Sequence, residues 1–558
     1  MAKVLVYQGT DARQGSLVDV FRQVTNGHYD VQTIALDSLS AAPWEASTCM
    51  IVLGPTGASD ALWQPTGAGS SALAKVQTWV EQGGTVAALG DAASRLSSVI
   101  ATGGVTSPDA DMVVPKGEGR ILLFRAANPR PEDLVPRLQS VKIHGSALDA
   151  PARRLSPLYA TSLTAPLLDA WLQRFMAPCS CTDAPPVWVK EAPTPFAVWY
   201  HIPAASVLDT WNTTEALALV AVRPPEWADV ARRTPHFRMD AYYDALGAGR
   251  ARSSAFPWPS PQSFHVSVGN LLIYGDIVSS TQTLLESDRH LLRTCPPGTT
   301  IVATHQVRGR GRAHNAWLSP LGCLPFSTTA HLPLHIGNKA VFLQYLAALA
   351  IVYGLESAFP AIQGRVRIKW PNDIYAQVPA AQPGSVRLAE GGESRHFVKI
   401  GGILVTAVCD GDTFYAIVGC GINCLNDEPT TSIQQLAREA GSTGVSLEAC
   451  AGAIHAALES LLRVWADHAY SFAPFVPAYR RAWLHSDQVV TLVDAPGAPR
   501  RIVGITSEHG LLRTVPVNAS VRAADTHAWL APTIPGAVDV QPDGNSFDLL
   551  AGCVRPKN

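Results

Sequence analysis

Along the first hundred residues, short apolar runs alternate with segments of helical spacing. The runs at 4–7, 31–36, 50–53 and 85–89 predict buried strands. Leu17, Val18, Val20, Phe21 and Val24 predict a helix over 15–26, and 72–82 reads as an amphipathic helix stopped at Gly83-Gly84. This alternation predicts a parallel sheet with helices on both faces. From 150 to 260 prolines break the pattern, and Phe256-Pro-Trp-Pro-Ser-Pro261 reads as an extended domain boundary. Helices at 280–292, 339–357 and 447–466 then flank strands at 300–304, 366–369, 396–404 and 414–418. The Gly-, Pro- and Ala-rich stretch 376–395 reads as a flexible loop. After 485, β-like runs at 489–493, 501–505, 511–515 and 546–550 predict a small all-β module.

Composition bounds the function. The chain has 558 residues, enough for three or four domains, with 47% hydrophobic and 16% charged residues. Lys plus Arg (43) balances Asp plus Glu (45), so no bulk basic face for nucleic acid and no polybasic membrane anchor is expected. The start, Met1-Ala-Lys-Val-Leu-Val-Tyr, enters a strand pattern without an apolar signal core. The apolar stretch 341–355 is short for a bilayer span and reads as a core helix. Ten scattered cysteines are expected to be reduced thiols in a cytoplasmic protein, where the acceptor-like Asn212 and Asn518 sequences carry no meaning.

Four segments carry chemistry. His305-Gln-Val-Arg-Gly-Arg-Gly-Arg312 follows a strand and interleaves Arg308, Arg310 and Arg312 with Gly309 and Gly311. Glycine lets backbone approach a ligand and arginine supplies forked donors for an anion. A solvated basic turn and an RNA-binding Arg-Gly stretch are the other readings. Lys369-Trp-Pro-Asn-Asp373 sets a cation, an amide and a carboxylate at a strand end. Asn372 and Asp373 there cap a turn, or Asp373 receives an amine. Lys399-Ile-Gly-Gly-Ile403 and Val418-Gly-Cys-Gly-Ile-Asn423 place glycines inside strands, where a ligand can lie against backbone.

In this order, the four segments resemble the catalytic domain of biotin protein ligases, the holocarboxylase synthetases of eukaryotes. Ser280-Thr281-Gln282 resembles that family's Ser-Thr-Asn/Ser helix start, with a mild departure at the third residue. Gln541-Pro-Asp-Gly-Asn-Ser-Phe-Asp548 resembles its C-terminal β-barrel cap. The resemblance implies an α/β and α+β multidomain chain. Its parts would be an N-terminal region over 1–260, a mixed-sheet biotin/lipoate ligase-type catalytic domain over 265–485, and a small SH3-like β domain over 486–558.

It further implies ATP-dependent formation of biotinyl-5′-AMP, then transfer of biotin to one lysine of a carboxylase. Arg310, Arg312 and Lys399 would offset repulsion between the biotin carboxylate and the α-phosphate. Asp373 would orient the incoming amine and accept its proton. Ser280, Thr281, Gln282 and Gln306, with Arg310, Gly311, Arg312 and Lys399, would hold biotin. Gly309, Trp317, Lys369, Asn372, Gly402 and Asn423 would hold the adenylate. Mg²⁺ would arrive with ATP, without a protein metal site. The expected partners are biotin carboxyl carrier domains, as in acetyl-CoA carboxylase and pyruvate carboxylase, with neither nucleic acid nor membrane. A lipoyl or octanoyl transferase of the same fold is the rival enzyme, and a partner-binding scaffold the rival without catalysis.

The first half is similar to the class I glutamine-amidotransferase-like domain of fungal biotin ligases. Its matching elbow reads Ala88-Leu-Gly-Asp-Ala92, without the nucleophilic cysteine, and Cys49 is not an elbow. A regulatory, carrier-docking or purely structural domain is expected, separable at about 260. His331/His335, Cys179/Cys181 and Cys420/Cys424 lack the companions of a metal site. Asp276 and Glu286 are expected to cap or to face solvent.

Overall fold

In a computed structural model, the described residues are 3–7, 30–41, 48–54, 60–64, 67–81, 85–89, 92–93, 95–96, 112–116, 119–124, 156–176, 186–189, 196–199, 217–223, 226–262 and 266–558. Within the last span, 313–316, 318, 380–384, 391–392, 427–429, 493–497, 542–544, 549–552 and 557–558 are excepted. The expected helix at 15–26, Cys179/Cys181 and residues 542–544 of the 541–548 motif lie outside them, as do Gly90 and Asp91 of the elbow. The chain divides into two compact units. The first is Met1–Leu155 with Val307–Gly309 and His314–Pro320. The second is Ser156–Gln306 with Arg310–Ala313 and Leu321–Asn558.

The first unit is built on a six-stranded sheet. Strands β1 (Lys3–Tyr7), β2 (Asp30–Thr33), β3 (Thr48–Leu53), β4 (Thr85–Leu89), β5 (Met112–Lys116) and β6 (Gly119–Phe124) lie in the order β2-β1-β3-β4-β6-β5. All neighbours are parallel except the β5–β6 pair at one edge. The apolar runs are continuous, without alternation, as a sheet covered on both faces requires. Helix Ala68–Glu81 buries Ala72, Val76, Trp79 and Val80 in the same core as Leu5, Ile51 and Val86.

The second unit is a 12-stranded sheet whose main path runs β14-β15-β17-β18-β13-β12-β11-β7-β10-β9-β8. Its strands are β7 (Leu158–Ser162), β8 (Val187–Val189), β9 (Phe196–Trp199), β10 (Leu217–Val222), β11 (Leu271–Val278), β12 (Thr300–Gln306), β13 (Cys323–Pro333), β14 (Val366–Lys369), β15 (Asp373–Val378), β16 (Val386–Glu390), β17 (Glu393–Asp410) and β18 (Thr413–Asn423). β16 pairs with β17 off that path.

Two expectations are corrected here. The boundary expected near 260 lies inside the second unit. β7 pairs antiparallel with β11, matching Leu272 to Thr161 and Tyr274 to Tyr159. The proline run that suggested a linker is packed: Phe256 and Trp258 are buried, and Trp258 Nε1 donates to Ser460 Oγ at 3.0 Å. Helix Met239–Ala251 lies so close to helix Leu447–Asp467 that a Cβ on Gly249 would stand 2.7 Å from the Ala456 Cβ. The nearly buried Glu459 accepts from Arg250 at 2.5 Å and from the Val268 N–H at 2.9 Å, and pairs with Arg463 at 2.9 Å. The expected flexible loop 376–395 holds the end of β15, all of β16 and the start of β17. Its glycines and alanines masked a ladder that matches Val386 to Phe397 and Leu388 to Arg395.

Helices Val341–Ala358 and Leu447–Asp467 share the core with Phe326, Ala330, Ile374, Ile403 and Val418 of the sheet. The first of them runs 18 residues, longer than the apolar stretch suggested, and meets the length and apolarity of a membrane span. It is nonetheless mostly buried, as a helix apolar all round its circumference requires.

β19 (Val489–Leu492), β20 (Arg500–Ile505), β21 (Leu512–Pro516), β22 (Val538–Val540), β23 (Asn545–Asp548) and β24 (Cys553–Pro556) form a C-terminal sheet in the order β22-β21-β20-β19-β24-β23. Trp529, Ile502 and Val515 of this region join the core of the second unit.

Candidate active site

The sheet register lays out one open face. Asp373 pairs with Gly402, Gly402 with Gly421, and Gly421 with Pro325. Two residues along, Leu404 pairs with Gly419 and Gly419 with Ser327. Side chains two apart on a strand share a face, so Ser327 and Asp373 look out on the same side. Three strand spacings across the sheet, about 14 Å, and two residues along it, about 7 Å, separate them. Between them stand Gly402 and Gly421, which carry no side chain, whereas Gly419 is covered by Gln282. The two adjacent glycines divide the work. A Cβ on Gly401 would meet the Gly421 carbonyl at 2.9 Å and the Ile374 Cβ at 3.3 Å, on the packed side. Gly402 is half-buried at the open face.

At one end, polar neutral groups cluster. Ser280 caps helix Thr281–Ser287 through its side chain, which accepts from the Thr283 N–H. The Thr281 N–H donates to Gln306 Oε1 at 2.9 Å, and the Thr281 hydroxyl lies 2.9 Å from that of Ser327. Gln306 and Thr281 are thus brought together as expected, and Ser327 joins them unexpectedly. Gln282 is spent on the sheet. It donates to Thr406 Oγ1 at 2.7 Å and to the Ile417 carbonyl at 3.2 Å, and accepts from Ser327 Oγ at 3.1 Å. It braces the helix against β17 and β18, a supporting role in place of the expected biotin contact.

At the other end stand charges. Lys399 Nζ lies 2.7 Å from Asp373 Oδ1, and Lys369 Nζ lies 3.3 Å from Asp373 Oδ2. Burial alone pushes the Asp373 carboxyl up, but the ammoniums of Lys399 and Lys369 outweigh it and hold the group down at about 2. So weak a base does not take and keep a proton from an amine titrating near 10. With both ammoniums beside it, Asp373 is held as an anion, the state in which a carboxylate attracts a cation. Arg312 donates to Asn372 Oδ1 at 3.0 Å, and Asn372 Nδ2 donates to the Ile403 carbonyl at 2.9 Å. Arg310 forms an ion pair with Glu286, which ties the loop to the helix that carries Thr281. Gly311, between the two arginines, is half-buried.

The neighbouring turn is locked from below. The Trp370 N–H donates to His485 Nε2 at 2.9 Å, and the Trp370 indole donates to the Tyr345 hydroxyl at 3.0 Å. That hydroxyl donates in turn to the Gly510 carbonyl at 2.7 Å. Asn423 Nδ2 donates to Thr430 Oγ1 at 3.3 Å, and Thr430 donates to the Lys399 carbonyl at 3.0 Å. Asn423 thus steadies the strand that bears Lys399. Trp317 N–H donates to the Gly309 carbonyl at 2.8 Å, and both residues belong to the first compact unit. His331 is half-buried against the Tyr415 ring at 4.7 Å between centroids.

The arrangement fits an elongated ligand with a neutral, hydrogen-bonding head at Thr281, Gln306 and Ser327. Its anionic part would meet the cations at the far end.

The model of the biotin/lipoate A/B protein ligase family matches residues 274–423, and that of the biotin-protein ligase N-terminal region matches residues 2–93. The chain is 32% identical over 296 residues to the biotin–protein ligase of Schizosaccharomyces pombe, covering 51% of this chain and 44% of that one. It is 31% identical over 301 residues to the human biotin–protein ligase, covering 52% and 36%. The chain thus spans less than half the length of these two relatives. A solved biotin protein ligase from Aquifex aeolicus, in complex with biotin and ATP, aligns with a TM-score of 0.34 and 24% identity over 51% of this chain and 99% of that one. The chloroplastic biotin–protein ligase 1 of Arabidopsis thaliana is 30% identical over 301 residues, which cover 52% of this chain and 70% of the relative. On that similarity, the chain belongs to the biotin–protein ligase family.

Proposed function

We propose that the chain forms biotinyl-5′-AMP from biotin and MgATP, and then transfers biotin to a lysine of a carboxylase carrier domain. The observation that carries this reading is the polarity of the open face. A neutral donor–acceptor cluster at Thr281, Gln306 and Ser327 faces, across bare glycine backbone, the cations Lys399, Lys369 and Arg312.

In the first step a biotin carboxylate oxygen attacks the α-phosphorus, and the bond to the β-phosphate oxygen breaks with pyrophosphate leaving. Lys399 and Arg312 reduce repulsion between the two anions and stabilise charge on the α-phosphate. Arg310 assists once released by Glu286. Mg²⁺ enters with ATP as part of the substrate and aids pyrophosphate departure. In the second step the carrier lysine, drawn in as an ammonium by Asp373, loses its proton to solvent. Its neutral amine then attacks the anhydride carbonyl and AMP leaves. Thr281 and Gln306 hold the ureido end, and the Arg-Gly loop shields the adenylate from water.

The partners on this reading are biotin carboxyl carrier domains. Cys295, Cys409, Cys420, Cys424 and Cys450, thiols outside any disulfide, support a reducing compartment such as the cytoplasm. The C-terminal sheet is read as the family's SH3-like cap, and the first unit as regulatory or carrier-docking. The test is incubation of the purified chain with biotin, MgATP and a carrier domain, read by streptavidin blot. A biotin signal that requires ATP is expected, and its absence refutes the reading.

A further inference from the structure

Asp373 is gripped from two sides by lysines in different settings. The Lys399 side chain is 43% exposed at the open face, whereas that of Lys369 is 14% exposed. Lys369 also sits over the Tyr375 ring, 5.7 Å from its centroid. One cation is therefore placed to move and the other is packed in. The Asp373 side chain is itself 15% exposed, and a carboxylate so placed is strongly destabilised if its counter-ion departs.

We propose that Lys369 is a positioning residue, the standing counter-ion of Asp373 that lets Lys399 leave the carboxylate for the reacting anions. The proposal rests on the ligase reading. It differs from the ATP contact expected of Lys369, because the structure commits its ammonium to Asp373 and Tyr375. During adenylation Lys399 moves from Asp373 Oδ1 towards the α-phosphate and the biotin carboxylate. The new P–O bond forms and the bond to pyrophosphate breaks without any proton passing through Lys369. Asp373 stays paired through Oδ2, and Oδ1 opens to the carrier's ammonium for the second step. Without Lys369, the carboxylate would hold Lys399 back.

The experiment measures pyrophosphate release by the full chain with biotin and MgATP. It compares wild type, Lys369→Met, Lys369→Arg, Asp373→Asn and the double variant, with thermal unfolding to establish that each is folded. Lys369→Met is expected to lower kcat about tenfold or more, with KM for ATP within about twofold. Lys369→Arg recovers most of the rate. The double variant turns over within about threefold of Asp373→Asn alone, because no carboxylate remains to trap Lys399. If Lys369→Met fails to fold, this last comparison decides. A double variant about tenfold slower than Asp373→Asn overturns the proposal, as does Lys369→Met with unchanged kcat or with its loss confined to KM for ATP. An inactive wild type overturns the ligase reading and the proposal together. An active wild type with any of those patterns overturns the proposal alone.

Discussion

On the proposed function, Asp373→Asn should separate the two half-reactions. The carboxyl is held at about 2, against an ordinary 3.8, so the two ammoniums exceed the penalty of burial by about 2–3 kcal/mol. The folded-state value lies below the unfolded one. The stabilisation is therefore fully present above pH 4 and is lost only as pH falls through about 2, so it operates in full at assay pH. The amide removes that attraction and leaves Lys369 and Lys399 without their shared anion. Stability should fall by about 2 kcal/mol in urea unfolding. Transfer needs the anion to draw in and aim a lysine, and should fall about 100-fold or more. Adenylation needs cations, which remain, and should fall by less than about tenfold. Pyrophosphate release reports the first step. Single-turnover transfer from isolated biotinyl-5′-AMP to a carrier domain reports the second. Across pH 5–7 the wild-type transfer rate should rise with the neutral fraction of the carrier amine, with no inflection from Asp373. Equal losses in both half-reactions, or an inflection from Asp373 in that range, would refute the assignment.

A Cβ on Gly419 would collide with Gln282 Oε1, so Gly419→Ala should displace that side chain from Thr406, Ile417 and Ser327. About 1–3 kcal/mol of stability and about tenfold in biotin affinity should be lost; calorimetric titration with biotin checks the affinity. Burial holds His455 and His485 down at about 3, and His331 at about 4. Below pH 6.5 the unfolded chain gains protons that the folded chain refuses. Each histidine should thus remove about 1 kcal/mol between pH 7 and 5.5, visible as a falling Tm, and a flat Tm would contradict this. Removing residues 1–155 should leave soluble protein that still forms adenylate. Removing 1–260 should yield aggregate, since it strips β7, β8, β9, β10 and helix Met239–Ala251; circular dichroism and gel filtration distinguish the two.

The site was legible wherever chemistry is contiguous in the chain. Lys369, Asn372 and Asp373 sit on one turn and Arg310 and Arg312 on one loop, so spacing alone brings them together. It was not legible where strands supply one residue each. Ser327 and Thr406 stand on separate strands and meet the helix residues Thr281 and Gln282 only in the folded chain, and Thr430 reaches the Lys399 carbonyl from the bend after β18. Glu286 looked like a solvated helix residue until Arg310 was found against it. The boundary at 260 misled for a physical reason. Proline breaks periodicity without preventing burial, and the informative signal was aromatic: Phe256 stacks on Trp258 at 4.7 Å, and Trp258 meets Tyr353 edge-on at 5.5 Å. The run 376–395 misled in the opposite sense, because small residues read as flexible even where β17 pairs on both sides with β15 and β16.

The depth of the turn's support bears on how the C-terminal sheet contributes. The Gly510 carbonyl receives the Tyr345 hydroxyl, which receives the Trp370 indole, and Trp370 directly precedes Pro371, Asn372 and Asp373. Gly510 has a φ of +63°, and a Cβ there would stand 2.8 Å from the Tyr345 ring. His485, whose Nε2 must accept from the Trp370 N–H, keeps its proton on Nδ1 and donates it to Gln488 Oε1 at 3.0 Å. Burial holds that ring neutral down to about pH 3, so the acceptor persists through the ordinary pH range. Two buried, neutral hydrogen bonds thus fix the backbone from which Asp373 and Asn372 project, while the ion pairs above them remain free to exchange. Rigidity below and exchangeable charge above is the division that a two-step reaction on one site requires. On the proposed function, the first step needs Lys399 to move and the second needs Asp373 to stay.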